Sequence, residues 1–160
     1  MPESVSSGLV RMLDQAYNRK SWHGTNLRGA IRGLSAREAA WRPAAGRHSI
    51  HELVLHTAYW KYAVLNRLVG GARGSFPRKG SNWFVRPAES QAWADDVALL
   101  DWMHRDLRAC AVALAPAVLD RPLPRSTMTP FALLSGVAAH DLYHAGQIQL
   151  LKRLVPAASR

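Results

Sequence analysis

The chain has a single cysteine, Cys110, among its 160 residues. A lone cysteine has no partner within the chain for a disulfide, and Cys110 lies in a stretch with helical spacing, so we expect a reduced, cytoplasmic protein. No apolar run approaches the roughly 20 residues that cross a bilayer, so we expect no membrane partner. The N-terminal stretch has an early acid and lacks the apolar segment of a signal peptide, so we expect none.

Acidic residues are also few, 11 against 21 lysines and arginines, which gives a formal net charge of +10. Such an excess can indicate nucleic-acid binding. The cations are scattered, however, and the densest stretch, RKGSNWFVR, carries three of them around a predicted turn. Because no basic helix face or known recognition motif occurs, we expect a solvated basic surface and no nucleic-acid partner.

Signals for β-strands are missing, since neither strict apolar alternation nor hairpin turns occur. Helical spacing instead predicts four long helices, at about residues 5–18, 50–69, 91–114 and 129–154. Capping boxes at Ser35–Glu38 and Ser49–Glu52, and a helix start at Thr129-Pro130, support these bounds. We therefore predict one all-α domain over residues 1–160, a four-helix bundle. The linkers after the second and third helices are long enough for crossover connections.

The chemistry of the chain concentrates in the stretch HDLYHAGQ, residues 140–147. At about 100° per residue, His144 falls about 40° from His140, and both histidines lie in the middle of the apolar stripe of the fourth helix. Two inward imidazoles one turn apart can coordinate one metal ion, or each can form a hydrogen bond in the core. The spacing alone leaves both alternatives open.

A third inward histidine would favour the metal, and His56 is the candidate because it borders the apolar side of the second helix. That helix is apolar almost all round, so a hydrogen-bonded core histidine is the alternative for His56. Three neutral imidazoles suit a divalent ion, with zinc or nickel first and iron or manganese as alternatives. Three protein ligands leave a coordination position open, which is typical of catalytic rather than structural sites.

The imidazole rings of a metal centre need hydrogen-bond partners behind them. Asp141 and Gln147 are near enough in sequence to serve, and ordinary exposed polar residues are the alternative interpretation. His23 follows the break after the first helix, in SWHGTNL, where it lines a pocket or makes a turn.

The other histidines rank lower as ligands. His48 and His51 flank the start of the second helix, and His51 points about 140° away from His56. His104, between Met103 and Arg105, is predicted to lie on the surface of the third helix.

Three segments together resemble the DinB-like (DinB/YfiT) metalloenzymes, namely WHGTNLRGAI, HSIHELVLHTAYW and GVAAHDLYHAGQIQLLKR. The resemblance spans almost the whole chain, and the order and spacing of the segments match. It implies a four-helix bundle with crossover topology that is often dimeric. It also implies a divalent metal ion held by one histidine of the second helix and by the H-x-x-x-H pair, which fall on His56, His140 and His144.

Proteins of this family include thiol-dependent enzymes, the bacillithiol S-transferases and the mycothiol-dependent maleylpyruvate isomerase. The resemblance thus implies a homodimeric, metal-dependent enzyme that transfers a low-molecular-weight thiol to an electrophilic small molecule. The alternatives are a hydrolase that uses metal-bound water and a non-catalytic, dimeric metal-binding stress module. Cys110 lies at helical spacing with apolar residues and indicates core packing, so we name no catalytic residue of the chain's own.

Overall fold

Residues 4–71 and 74–157 are described by the computed structural model. Four long helices carry this part of the chain: α1 (Val5–Tyr17), α4 (Ile50–Leu68), α5 (Ser90–Ala113) and α6 (Pro130–Leu154). Two short helices, α2 (Leu27–Ala30) and α3 (Ala36–Ala40), precede α4, and a 3-10 turn follows α5 at Pro116–Val118. These residues contain no strand. The predicted all-α fold is confirmed, and every long helix begins and ends within one residue of its predicted bounds.

Local capping explains why the helix bounds could be predicted so closely. At the start of α4 the Glu52 backbone N–H donates to Ser49 Oγ at 3.2 Å, and the Ser49 N–H donates to Glu52 Oε2 at 2.9 Å. This capping box satisfies two backbone donors that the first helical turn leaves free. At the start of α6, Thr129 Oγ1 accepts a hydrogen bond from the Ala132 N–H at 3.1 Å.

The four long helices form a ring in the order α1, α6, α4, α5, because α1 and α4 each pack against both α5 and α6. The chain therefore crosses the bundle diagonally twice, from α1 to α4 and from α5 to α6. The long linker after α4 joins two neighbouring helices instead, and its described residues contact α4 between His56 and Tyr62. No helix among the described residues is both long enough and apolar enough to span a membrane.

The core contains polar groups that the sequence pattern does not assign to it. His104 was predicted on the surface, and this prediction is wrong: its side chain is buried and stacks on Tyr17 with ring centroids 3.7 Å apart. Lys61 on α4 and Asp141 on α6 are fully buried and form an ion pair. The Lys61 ammonium also lies 5.0 Å from the centre of the Tyr17 ring. Asp141 thus serves the packing of α6 on α4.

We predict that Lys61→Met lowers the free energy of unfolding by about 3–5 kcal/mol, because it leaves the Asp141 carboxylate buried without a counter-charge. The double variant Lys61→Met/Asp141→Leu should recover most of this loss, since no uncompensated charge remains. Urea unfolding of the metal-free protein, followed by circular dichroism, measures both changes. A double variant no more stable than Lys61→Met would contradict this account of the core.

Candidate metal centre

Two helices bring three histidines together. His56 comes from α4, and His140 and His144 come from successive turns of α6. The Nε2 atom of His140 lies 3.2 Å from Nε2 of His56 and 3.0 Å from Nε2 of His144. Each ring offers one ligand nitrogen, and these nitrogens all lie within 4.8 Å of one another. The three histidines could therefore hold one metal ion.

The spacing of the nitrogens fits a first-row divalent ion. Zinc–nitrogen bonds of about 2.0–2.1 Å at tetrahedral angles place two ligand nitrogens about 3.3 Å apart. The Nε2 separations of His140 from His56 and from His144, 3.2 Å and 3.0 Å, are close to this value. Only a small outward movement of the rings is needed to admit the ion.

Hydrogen bonds behind two of the rings fix which nitrogen carries the proton. The Nδ1 of His56 lies 2.7 Å from the backbone carbonyl oxygen of Asn82, and the Nδ1 of His144 lies 2.6 Å from Oε1 of Gln147. Because these oxygens only accept hydrogen bonds, each Nδ1 must donate, and each Nε2 keeps its lone pair for a metal. The Nδ1 of His140 is buried and has no partner among the described residues.

Burial keeps the three imidazoles neutral. It lowers the pKa of His140 to about 3 and that of His144 to about 4. The pKa of His56 is lowered for the same reason. Repulsion from the nearby side chains of His144, His56 and Lys61 lowers the pKa of His140 further. At neutral pH all three side chains thus offer uncharged nitrogen ligands.

The histidines lie on the floor of an open cavity of about 540 Å³, which we call the metal cavity. Its lining comes from α4, from α6 and from the two loops that flank α4, and consists of Pro43, Arg47, His48, Leu53, His56, Trp83, His140, Tyr143, His144, Gln147, Leu150 and Leu151. The ion position thus faces a space large enough for a small molecule.

Trp83 forms one wall of the metal cavity. Its ring stacks on His56, with centroids 3.9 Å apart and planes 9° from parallel. The ring of His48 stacks on the other face of Trp83, with centroids 3.5 Å apart and planes 4° from parallel. The stack on Trp83 and the hydrogen bond to the Asn82 carbonyl together fix the orientation of the His56 ring.

The residues singled out from the sequence divide into two groups. Gln147 lies behind His144 and lines the metal cavity. His23 is exposed, contacts the Trp22 ring edge-on and does not line the cavity. Asp141 turns to Lys61 in the core and does not line it either.

The sequence did not predict that Asn82 and Trp83 contact His56, or that His48 stacks on Trp83 and lines the metal cavity. Asn82 acts through its backbone carbonyl, which no side-chain pattern can reveal. The cluster of aromatic and basic residues in RKGSNWFVR, close after the helix that carries His56, was the available signal.

We predict that the protein binds one zinc ion per chain and that His140→Ala/His144→Ala retains almost none, because a single imidazole remains. Elemental analysis after dialysis against zinc and then buffer measures the ratio. His23→Ala, which removes an exposed histidine outside the cavity, should retain the metal of the unchanged protein. Near-stoichiometric zinc in the double variant would refute the assignment.

The pH dependence of zinc binding should be shallow. Ligands with the ordinary histidine pKa of about 6.5 would lose about tenfold in affinity per histidine, or about 10³ for three, between about pH 7.5 and about pH 5.5. With the pKa values of His140 and His144 at about 3 and about 4, protons compete far less in this range. Competition with a chromophoric chelator should show a loss of less than about tenfold. A loss near 10³ in folded protein would contradict the lowered pKa values.

Comparisons with known proteins bear on most of the chain. A model of the DinB superfamily matches residues 20–148, which include all three histidines and well over half of the sequence. A search of curated proteins and a search of solved structures each gave no match. The family resemblance of the three sequence segments is confirmed by the family match, and the chain belongs to the DinB superfamily.

Proposed function

We propose that this protein is a metal-dependent enzyme that transfers a low-molecular-weight thiol to an electrophilic small molecule. The observation that carries the proposal is the convergence of three neutral Nε2 atoms on the floor of an open cavity. A structural metal would be sealed by a fourth protein ligand, whereas three ligands beside a cavity leave room for a reactant. Zinc or nickel suits the three imidazoles best, and iron or manganese is an alternative.

A divalent ion in such a site lowers the pKa of a coordinating thiol, so that the sulfur is a thiolate at neutral pH. The chain's own residues hold and orient the ion. His56, His140 and His144 supply the lone pairs, and Asn82 and Gln147 keep two of the rings in the tautomer that binds. Trp83 and Tyr143 line the space where the second reactant would lie.

The nucleophile in this proposal comes from outside the protein. The cavity lining contains no serine, threonine, cysteine or lysine among the described residues. Cys110, on α5, packs against the apolar cluster that contains Leu107 and Ala111, away from the metal cavity. Sulfur of the small thiol attacks the electrophilic carbon, the leaving group departs with the bonding electron pair, and the thiol proton passes to solvent.

The charge of the cavity favours neutral or anionic reactants. Its described lining contains Arg47 and no aspartate or glutamate. A cationic reactant would meet this guanidinium together with the charge of the ion, which is unfavourable in a partly enclosed space. Hydrolysis would need a group to accept a proton from water, for which the lining offers His48 but no carboxylate, whereas transfer of an already ionised sulfur needs no such group.

The remaining expectations stay predictions. A homodimer, a cytoplasmic location and the absence of a nucleic-acid partner all rest on the sequence and on the family resemblance. Several arginines already have acidic partners, such as Arg108 with Asp14 and Arg42 with Glu52, which is consistent with a basic surface that serves the fold.

We predict that zinc-loaded protein accelerates conjugation of a small thiol to 1-chloro-2,4-dinitrobenzene above the rate of metal-free protein. The thiol panel should include a neutral thiol, 2-mercaptoethanol, and an anionic one, 3-mercaptopropionate. Product absorbance gives the rate. His144→Ala should fall to the rate of the metal-free protein, because the ion loses a ligand that the cavity positions.

Cys110→Ser is the matched control for a nucleophile from the protein, and it should keep the activity of the unchanged chain. Loss of turnover in Cys110→Ser would assign the reacting sulfur to the protein. If no thiol accelerates conjugation above the metal-free rate, the transferase proposal is wrong, and the hydrolase or the non-catalytic module takes its place.

A further inference from the structure

The segment of residues 78–86, which we call the site loop, supplies two contacts to His56. Its Asn82 carbonyl accepts the hydrogen bond from His56 Nδ1, and its Trp83 ring stacks on the imidazole. The site loop has neither helix nor strand, so no ladder of backbone hydrogen bonds holds it in place. Something else must fix the loop if His56 is to keep its orientation.

Both ends of the site loop are tied to one carboxylate, that of Asp96 on α5. Arg78 at the start donates from Nε to Asp96 Oδ1 at 2.8 Å, and Arg86 at the end donates from Nε to Oδ2 at 2.6 Å. A third donor is His51 of α4, whose Nε2 lies 2.9 Å from Oδ2. Asp96 therefore joins α4, α5 and both ends of the loop at a single point.

The surroundings of Asp96 make this tie strong. Its side chain is fully buried, and so is that of His51. Burial alone would raise the pKa of Asp96, but the hydrogen bonds from His51, Arg86 and Arg78 lower it below its usual range. These charge-assisted hydrogen bonds allow the buried carboxylate to keep its charge, and they hold the donors in place around it.

We propose that Asp96 is a positioning residue for the metal centre. It acts through Arg78 and Arg86, which hold the site loop so that Asn82 and Trp83 orient His56 toward the ion. This inference rests on the proposed metal centre and adds a residue that touches neither the ion nor the cavity lining. Its role is comparable to that of the outer groups that orient metal ligands, whose loss commonly costs 10–100-fold in affinity.

The test compares zinc affinity in the unchanged chain and in Asp96→Asn, by competition with a chromophoric chelator at a temperature where both are folded. Asparagine keeps the shape of the side chain but loses its charge, so both arginines lose their ionic partner. We expect zinc binding to weaken by about tenfold. Hydrogen–deuterium exchange of the metal-free protein should show faster exchange in residues 78–86 than in the unchanged chain.

Asp14→Asn is the matched control, because Asp14 also accepts two hydrogen bonds from an arginine, Arg108, but joins α1 to α5 away from the site loop. It should lower thermal stability and leave zinc affinity within about twofold, since it does not contact the loop that orients a ligand. An equal loss of affinity in Asp14→Asn would reduce the effect of Asp96 to general stability and refute the positioning role.

Should Asp96→Asn fail to fold, Arg86→Gln replaces it, because this change removes one of the donors and leaves the other two. A smaller loss of zinc affinity in the same direction is expected. Unchanged affinity in whichever variant is folded would refute the inference while the metal centre stands. An unchanged chain that binds no zinc would refute the metal centre itself, so the two failures are distinguishable.

Discussion

Two neutral imidazole nitrogens about 3 Å apart repel each other through their lone pairs unless a proton or a cation lies between them. The Nε2 atoms of His56, His140 and His144 are in this situation. Protonation is disfavoured because burial lowers the pKa of each ring. A neutral His140 that carries its proton on Nε2 can donate to only one of its two neighbours, whereas a bound cation would face all three lone pairs, and the open side of the cavity gives it access. Asn82, Trp83 and Gln147 are the neighbours that orient the rings of His56 and His144 in this arrangement.

The parts of the fold that depend on neighbours in sequence could be predicted. Helix ends follow from caps such as Ser49 with Glu52, which act within one turn, and so the bounds of α4 and α6 came out within a residue. His140 and His144 could be paired because a helical period places them on one face whatever the rest of the protein does. Gln147, two turns beyond His140 on the same face, was a candidate for the same reason.

The parts that depend on contacts between distant segments could not be predicted. His104, between Met103 and Arg105, was expected to face solvent, yet Tyr17 of another helix covers it. His51 was set aside because it points away from His56, but that direction leads to Asp96 on α5. Neither partner can be identified from a helical period, since the period gives the face of a residue and not what packs on it.

Consecutive residues of α6 face different surroundings: His140 faces the metal cavity, whereas Asp141 pairs with Lys61 in the core. This adjacency fixes the register of α6 against α4, because a rotation by one residue, about 100°, would place a carboxylate among the imidazoles. Insertions or deletions between the start of α6 and His140 are therefore poorly tolerated. Three residues of the cavity lining are exposed and lie outside this packing, namely Pro43, Arg47 and Leu150. Substitutions at these exposed positions can change what the cavity admits without moving the histidines.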